Sequence, residues 1–152
     1  MKYVIFSDSH GIVSDMESVV FREKPDKILF LGDISSDADD LRNRCLNYSI
    51  CSVAGNNDFF SREQRDIILC DCGHRIFMTH GHLYKVKLSL YLIARAAAGQ
   101  GCDIVLFGHT HRPLDEIYNG ISFVNPGSVT YSGTYAVMSI DERHVEFEIR
   151  SK

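Results

Sequence analysis

The chain has 152 residues, of which 45% are apolar, which is enough for one domain with a sizeable core. Its formal net charge is −4, so the composition gives no electrostatic basis for binding nucleic acid. No apolar run approaches the roughly 20 residues that cross a bilayer, and the first apolar run is too short for a signal peptide. The five cysteines include no C-x-x-C pair, which favours a reducing compartment. We therefore predict one cytoplasmic domain over residues 1–152, with no membrane partner and no nucleic-acid partner.

The first third of the chain alternates between short apolar runs and amphipathic segments. Residues 3–6, 27–31 and 50–54 are apolar runs bounded by turn signals, which is typical of strands buried on both faces. Residues 12–23 and 37–46 have apolar side chains at helical spacing. The apolar side of the second helix is predicted to carry Leu41, Cys45 and Leu46. The chain therefore begins as β-α-β-α-β.

The middle of the chain predicts a hairpin, a helix and a further strand. Residues 67–70 and 75–79 form the hairpin around a turn at 71–74, and residues 103–107 form the next strand. Residues 85–99 are rich in Leu and Ala and end at a glycine, which predicts a helix. The side chains that we expect this helix to turn towards the core are Leu88, Tyr91, Leu92, Arg95 and Ala96.

The last third of the chain has the character of a β-meander. Four strands are predicted, at residues 114–118, 121–125, 134–140 and 145–150. Asn119-Gly120 separates the first two and is a strong hairpin signal. Together with the β-α beginning, this order predicts an α/β fold in which two sheets form a sandwich flanked by helices. The late strands also offer edges and apolar surface, so a homo-oligomer is one expectation.

Polar residues of metal-ligand type follow five of the predicted strands. These segments are Asp8-Ser9-His10, Gly32-Asp33, Gly55-Asn56-Asn57-Asp58, His80-Gly81-His82 and Gly108-His109-Thr110-His111. Sites in open α/β sheets form outside the carboxyl ends of the strands. If the strands share a sheet, these side chains converge on one edge. Carboxylate, imidazole and amide oxygen are ligands for divalent ions such as Mn²⁺, Fe²⁺, Zn²⁺ or Ni²⁺.

Each of these segments alone has an ordinary explanation. Gly-Asp is commonly a turn, Gly-Asn-Asn-Asp is commonly a solvated surface loop, and D-x-H arises often by chance. The combination is more specific, because all five follow buried strands in one short domain. The sequence therefore favours a metal centre over five unrelated polar turns.

The same five segments resemble the signature of the calcineurin-like metallophosphoesterase superfamily, over about residues 1–140. The short length and Asn125-Pro126-Gly127-Ser128 are similar to its small bacterial and archaeal phosphodiesterases. The resemblance implies a four-layer α/β/β/α fold and two metal ions. It implies that one ion is held by Asp8, His10, Asp33 and His111. It implies that the other is held by Asp33, Asn56, His80 and His109, with Asp33 bridging the two.

The resemblance also implies a reaction. Two divalent ions, expected to be Mn²⁺ with Ni²⁺, Fe²⁺, Zn²⁺ or Mg²⁺ as alternatives, would neutralise phosphate oxygens and provide a bridging hydroxide as the nucleophile. The predicted activity is hydrolysis of a small phosphate ester, and specifically of a phosphodiester. No protein nucleophile is needed.

One position departs from the superfamily pattern. Many members have Gly-Asn-His-Asp or Gly-Asn-His-Glu in the third segment, and that histidine is thought to protonate the leaving oxygen. Asn57 stands there in this chain, and an amide can hydrogen-bond an ester but cannot donate a proton as an acid. We therefore expect a preference for good leaving groups, with His82 as the candidate that could supply a proton instead. Asp58 is expected to orient its loop.

Three other functions are alternatives. A phosphomonoesterase of the same fold is the nearest alternative and is disfavoured by Asn57. A non-catalytic scaffold that binds protein partners would be expected to lose metal ligands, whereas all seven ligand positions here hold competent residues. A DNA nuclease of the same superfamily is disfavoured because those enzymes are longer and this chain is acidic.

Overall fold

The structure, a computed structural model, describes residues 1–152 and contains ten strands and three α-helices. The strands are β1 (Lys2–Phe6), β2 (Lys27–Phe30), β3 (Ser49–Ser52), β4 (Asp66–Asp71), β5 (His74–Thr79), β6 (Ile104–Leu106), β7 (Leu114–Tyr118), β8 (Ile121–Asn125), β9 (Thr134–Ile140) and β10 (Val145–Ser151). The helices are α1 (Val13–Glu23), α2 (Ser35–Arg44) and α3 (Tyr91–Gly99), and a 3₁₀ turn spans His82–Tyr84.

The strands form two five-stranded sheets. The first has the order β10-β9-β1-β2-β3, and the second has the order β4-β5-β6-β8-β7. The βαβ units make β1, β2 and β3 parallel, while β9 and β10 run antiparallel at one edge. In the second sheet β5, β6 and β8 are parallel, and the hairpin partners β4 and β7 are antiparallel. The predicted α/β class with two sheets and flanking helices is confirmed.

Three apolar cores hold the layers together. Strand periodicity sends alternate β1 side chains to opposite faces: Tyr3 and Ile5 lie in the core between the sheets, and Val4 and Phe6 lie in the core under α1 and α2. A third core packs α3 against the outer face of the second sheet, around the buried Phe123. The order of layers is therefore α/β/β/α.

The predicted helix over residues 85–99 is wrong in its first half. The chain leaves the 3₁₀ turn at Lys85 in a left-handed conformation, with φ 52°, and the α-helix begins only at Tyr91. The predicted core-facing set is wrong except for Ala96, which packs against the core. Leu88 is 84% exposed, Tyr91 is 55% exposed and Leu92 is 41% exposed. The buried face of α3 consists of Ile93, Ala94 and Ala97. These residues pack closely because two of them are alanines.

The second helix is displaced from its prediction by two residues at each end. It spans Ser35–Arg44, and Cys45 is its C-cap. Leu41 and Cys45 are buried as expected, but Leu46 lies beyond the helix end and is 82% exposed. None of the helices has the length and apolar character that a bilayer-spanning helix requires.

Candidate metal centre

All seven predicted metal ligands follow strand ends, but they come from two sheets and not from one. The first sheet carries Asp8 and His10 after β1, Asp33 after β2 and Asn56 after β3. The second sheet carries His80 after β5, and His109 and His111 after β6. The strands do not all share one sheet, so the convergence does not arise along a single sheet edge. The carboxyl ends of the central strands of both sheets lie together at one end of the sandwich, and the ligand loops meet there.

Four of these residues have a strained backbone. The φ angles of Asp8, His10, His109 and His111 are 52°, 44°, 66° and 58°, all in the left-handed region. A residue other than glycine costs of order 1–3 kcal/mol in such a conformation, and this strain is typical of functional sites.

The first cluster of ligand atoms contains Asp8, His10 and His111, whose donor atoms all lie within 4.8 Å of one another. Asp8 Oδ1 is 3.1 Å from His111 Nε2. Asp8 is fully buried, and its Oδ1 has no hydrogen-bond partner; His10 Nε2 is likewise buried and unpartnered. Buried polar atoms without a partner are costly. A cation at this point would satisfy both atoms, so the residues fit a metal ion.

The second cluster contains Asp8, Asp33 and His80. His80 Nδ1 lies 2.8 Å from the carbonyl oxygen of Leu31 and donates to it, so Nε2 carries the lone pair. His80 Nε2 is 3.1 Å from the amide oxygen of Asn56 and 3.8–3.9 Å from the carboxylate oxygens of Asp8 and Asp33. Acceptors converge here without a donor between them, and a divalent cation is the group that such an arrangement accommodates.

The two carboxylates connect the clusters. Asp8 belongs to both groups. Asp33 is 3.8 Å from His80 Nε2 and 3.6 Å from His10 Nε2, so it also faces both sides. The predicted bridging role of Asp33 stays a prediction, and Asp8 is placed equally well for it.

His109 is the one predicted histidine ligand outside both groups of three. Its backbone N–H donates to Asp8 Oδ2, and its ring centroid is 5.1 Å from that of His80. Burial, reinforced by the neighbouring His80 ring and the charge of Lys87, lowers its pKa to about 4. The ring is therefore neutral at physiological pH, which is the form that binds metals.

Residues 1–143 match the sequence profile of the calcineurin-like phosphoesterase superfamily domain. The chain belongs to this superfamily. The probable metallophosphoesterase YsnB of Bacillus subtilis is 27% identical over 146 residues, which cover 93% of this chain and 85% of the relative. Vacuolar protein sorting-associated protein 29 of Schizosaccharomyces pombe is 29% identical over 124 residues, which cover 80% of this chain and 65% of the relative.

Solved structures show the same superfamily fold. A protein of Streptococcus pneumoniae described as a predicted phosphoesterase superposes with a TM-score of 0.80 at 26% identity, covering 99% of this chain and 88% of that one. The predicted superfamily membership and four-layer fold are thereby confirmed. Members of this superfamily are phosphoesterases, and they generally bind divalent metals at Asp and His groups of the kind found here.

Asn57 occupies the position that departs from the superfamily pattern. Its side-chain amide donates to Asp33 Oδ2 at 2.7 Å, and its backbone N–H donates to Asp33 Oδ1 at 3.2 Å. Both hydrogen bonds position the proposed ligand Asp33, and neither group of Asn57 can act as a general acid. Asp58 accepts from the backbone N–H groups of Ser35 and Gly55, in keeping with its expected loop-orienting role.

His82 lies near the clusters but is engaged with an arginine. Its ring is 5.5 Å from that of His80, and its Nε2 is 3.2 Å from the Arg65 guanidinium, which is a donor. Burial, together with the charges of His80 and Arg65, lowers the pKa of His82. The neutral form is therefore favoured, which weakens the expectation that His82 delivers a proton.

Some residues that shape the site carried no signal in the sequence. Tyr131 stacks on His111 with ring centroids 4.9 Å apart, and it meets His10 edge-on at 5.1 Å. Ser128 donates to the carbonyl oxygen of Asp8, and Asp37 accepts from Ser9 and Gly11 in the same loop. The Asn125-Pro126-Gly127-Ser128 motif marked the region, but the contacts depend on how distant loops pack.

Proposed function

We propose that this protein is a phosphodiesterase that depends on two divalent metal ions and hydrolyses a small phosphodiester. One observation carries the proposal: Asp8 Oδ1 is buried, has no hydrogen-bond partner, and lies 3.1 Å from His111 Nε2 and 3.9 Å from His80 Nε2. A buried carboxylate oxygen without a hydrogen-bond partner, close to a histidine of each group, is the kind of atom that a bound cation would satisfy.

The proposed ligand sets are those that the sequence predicts, namely Asp8, His10, Asp33 and His111 for one ion, and Asp33, Asn56, His80 and His109 for the other. Ions bound there would supply Lewis-acid stabilisation of the phosphate and an activated water. The chain's own contribution is orientation. Leu31 sets the tautomer of His80, and Asn57 holds both oxygens of Asp33. We propose Mn²⁺ as the working metal, because the ligands are nitrogen and oxygen only.

A preference for esters with good leaving groups follows from the missing acid. Asn57 has no proton to give, its amide is occupied by Asp33, and His82 favours its neutral form. A leaving oxygen must then depart without protonation by these residues, which favours stable leaving groups such as aryl oxides. We also propose a cytoplasmic location, which the five free cysteines support.

The test compares bis(p-nitrophenyl) phosphate with p-nitrophenyl phosphate, using metal-free protein with and without added Mn²⁺. The Asp33→Asn variant should lose metal-dependent activity. Glu142→Gln, which neutralises an exposed carboxylate in the β9–β10 turn, is the matched control and should behave as wild type. Faster turnover of the monoester would favour a phosphomonoesterase and contradict the proposal.

A protein-binding scaffold is the second candidate. The observation that favours it is an exposed aromatic pair, Phe59 and Phe60, which are 79% and 100% exposed and follow Asp58 directly. Absence of hydrolysis of both esters with Mn²⁺, Ni²⁺, Fe²⁺, Zn²⁺ and Mg²⁺ would favour this candidate over the enzyme.

A further inference from the structure

A cavity of about 570 Å³ opens beside the metal-ligand loop. This is within the range of small-molecule sites. Thr110, the residue between His109 and His111, forms part of its wall, and Phe107 and Leu90 supply apolar surface. The cavity therefore lies next to the proposed reaction centre and offers an apolar region large enough for an aromatic ring.

One basic residue of the cavity, Arg112, is fixed by the metal-ligand loop. Its backbone N–H donates to Thr110 Oγ1, and that hydroxyl donates back to the carbonyl oxygen of Arg112. The buried Asn125 also donates to Thr110 Oγ1 at 3.0 Å. The backbone of Arg112 is therefore fixed within the metal-ligand loop, and its side chain is exposed.

A second basic residue, Lys87, also lines the cavity. Its neighbour Val86 is buried and packs on Gly81 so tightly that a β-carbon at Gly81 would lie 2.9 Å from a Val86 methyl group. Gly81 separates His80 from His82, so this contact anchors Lys87 to the metal centre.

The two basic groups have no acidic partner. Neither Lys87 nor Arg112 forms an ion pair with a carboxylate. Glu116 is the one acidic residue that lines the cavity, so the lining has a net positive charge in a chain whose net charge is −4. Two free cations beside an apolar floor are complementary to an anionic group carried on an apolar ring.

We propose that this cavity binds one ester arm of the substrate, and that this arm is an aromatic ring bearing an anionic substituent. The assignment rests on the proposed phosphodiesterase function, because a substrate has two ester arms only if it is a phosphodiester. Phe107 and Leu90 contact the ring, and Lys87 and Arg112 contact its anionic group. The scissile phosphate then lies over the metal ligands on the other side of Thr110.

The kinetic test uses two diesters that release the same p-nitrophenolate. Water attacks phosphorus, the bond to p-nitrophenolate breaks, and the second arm stays on the product. That second arm is phenyl in one diester and 4-carboxyphenyl in the other. We expect wild type to favour the carboxylated diester by about tenfold in kcat/KM. Lys87→Ala and Arg112→Ala should each bring the kcat/KM of the carboxylated diester close to that of the phenyl diester, and so remove most of this preference.

Arg143→Ala is the matched control, because it removes one exposed positive charge in the β9–β10 turn. It should keep the full preference. Equal kcat/KM values for the two diesters in wild type would overturn the cavity assignment and leave the phosphodiesterase intact. An equal loss of preference in Arg143→Ala would also overturn it, because the effect would then come from overall charge.

A binding test separates this inference from catalysis. Metal-free ¹⁵N-labelled protein is titrated with 4-hydroxybenzoate, the free form of the proposed arm. We expect amide shifts in residues 86–90 and 110–116, and their loss in Lys87→Ala. Absence of these shifts in wild type overturns the inference. Shifts without hydrolysis of any diester would support the cavity as an anionic-ring site while the proposed function fails.

Discussion

Gly108 packs against Ser7 so closely that a β-carbon on the glycine would lie 1.9 Å from the Ser7 hydroxyl oxygen. That hydroxyl donates to Asp8 Oδ2 at 2.6 Å, and the next residue, His109, donates to the same oxygen from its backbone. Glycine at this position therefore leaves space for Ser7, which together with His109 holds Oδ2 of Asp8. The other oxygen, Oδ1, remains free for the proposed metal.

The variant Gly108→Ala should be strongly destabilised, by about 2–4 kcal/mol, because the added methyl group displaces Ser7 and with it Asp8. The midpoint of urea unfolding measures this. Gly99→Ala is the control: a β-carbon added at Gly99 would meet nothing within 4 Å, and the residue sits in α3, where alanine is favoured. Similar stability of the two variants would contradict the close-packing argument.

Asp8→Asn should stabilise the metal-free protein. The new amide can donate to His111 Nε2, which is now 3.1 Å from the unpartnered Oδ1, and a buried charge is removed. One added hydrogen bond is worth about 1 kcal/mol, or about 2–4 °C in Tm for a domain of this size. The increase in Tm that Mn²⁺ gives to wild type should be absent. Calorimetry with and without metal checks both, and a lower metal-free Tm would contradict the expectation.

Tyr131 should matter for metal affinity. It contacts the rings of His10 and His111, so Tyr131→Ala frees both imidazoles to rotate. We expect metal affinity to fall by about tenfold, with activity largely restored at saturating metal. Tyr131→Phe keeps the ring and should bind metal as wild type does. Isothermal titration with Mn²⁺ distinguishes these, and unchanged affinity in Tyr131→Ala would refute a positioning role.

The dependence of the hydrolysis rate on the leaving group tests whether Asn57 leaves the site without a general acid. For a series of aryl diesters, the wild-type rate should fall steeply as the pKa of the leaving phenol rises, because no side chain protonates it. In Asn57→His the slope should be shallower. Asn57→Ala, which also loses the contact with Asp33, controls for that loss and should keep the steep slope. A flat wild-type series would show that another group acts as the acid.

Glu23 should make stability depend on pH. Burial alone would raise the pKa of Glu23, but hydrogen bonds from Lys2, Tyr135 and Arg150 outweigh it and lower the pKa from 4.5 to about 2. The folded pKa is below the unfolded one, so the stabilisation is present above pH 4.5 and is lost as the pH falls towards 2. At neutral pH it amounts to about 3 kcal/mol.

The measurement is urea unfolding of metal-free protein between pH 6 and pH 2.5. Wild type should lose stability with falling pH more steeply than Glu23→Gln, while Glu142→Gln should follow wild type. Parallel curves for wild type and Glu23→Gln would show that the contacts of Glu23 do not lower its pKa in the folded state.

The places of the candidate ligands after strand ends were predictable because two simple signals coincide. A buried strand is visible as an apolar run, and the polar residue at its end is visible as a change of type, as in Phe6 followed by Ser7 and Asp8. The sheet to which each strand belongs was not predictable, because β6 pairs with β8 and β9 pairs with β1 over long separations in sequence. Local sequence patterns do not indicate which distant strands pair with each other.

The helical pattern failed where tertiary contacts override propensity. Residues 85–90 have helix-forming side chains, yet Val86 packs on Gly81 and Lys85 turns left-handed. Tyr131 was invisible for a related reason. Its role depends on the meeting of the loop after β8 with the loop after β6, and no spacing within either loop indicates the other.

Each group of three ligands draws two members from the first sheet and one from the second, His111 or His80. The bond from His80 to the carbonyl oxygen of Leu31 also crosses between the sheets. The separation of the sheets, which is maintained by core side chains such as Met78, therefore sets the distances between candidate ligands that come from different sheets. A smaller side chain in that core, as in Met78→Ala, should therefore change metal selectivity, although Met78 is not one of the candidate ligands. The hydrophobic core would in this way influence the coordination chemistry from a distance.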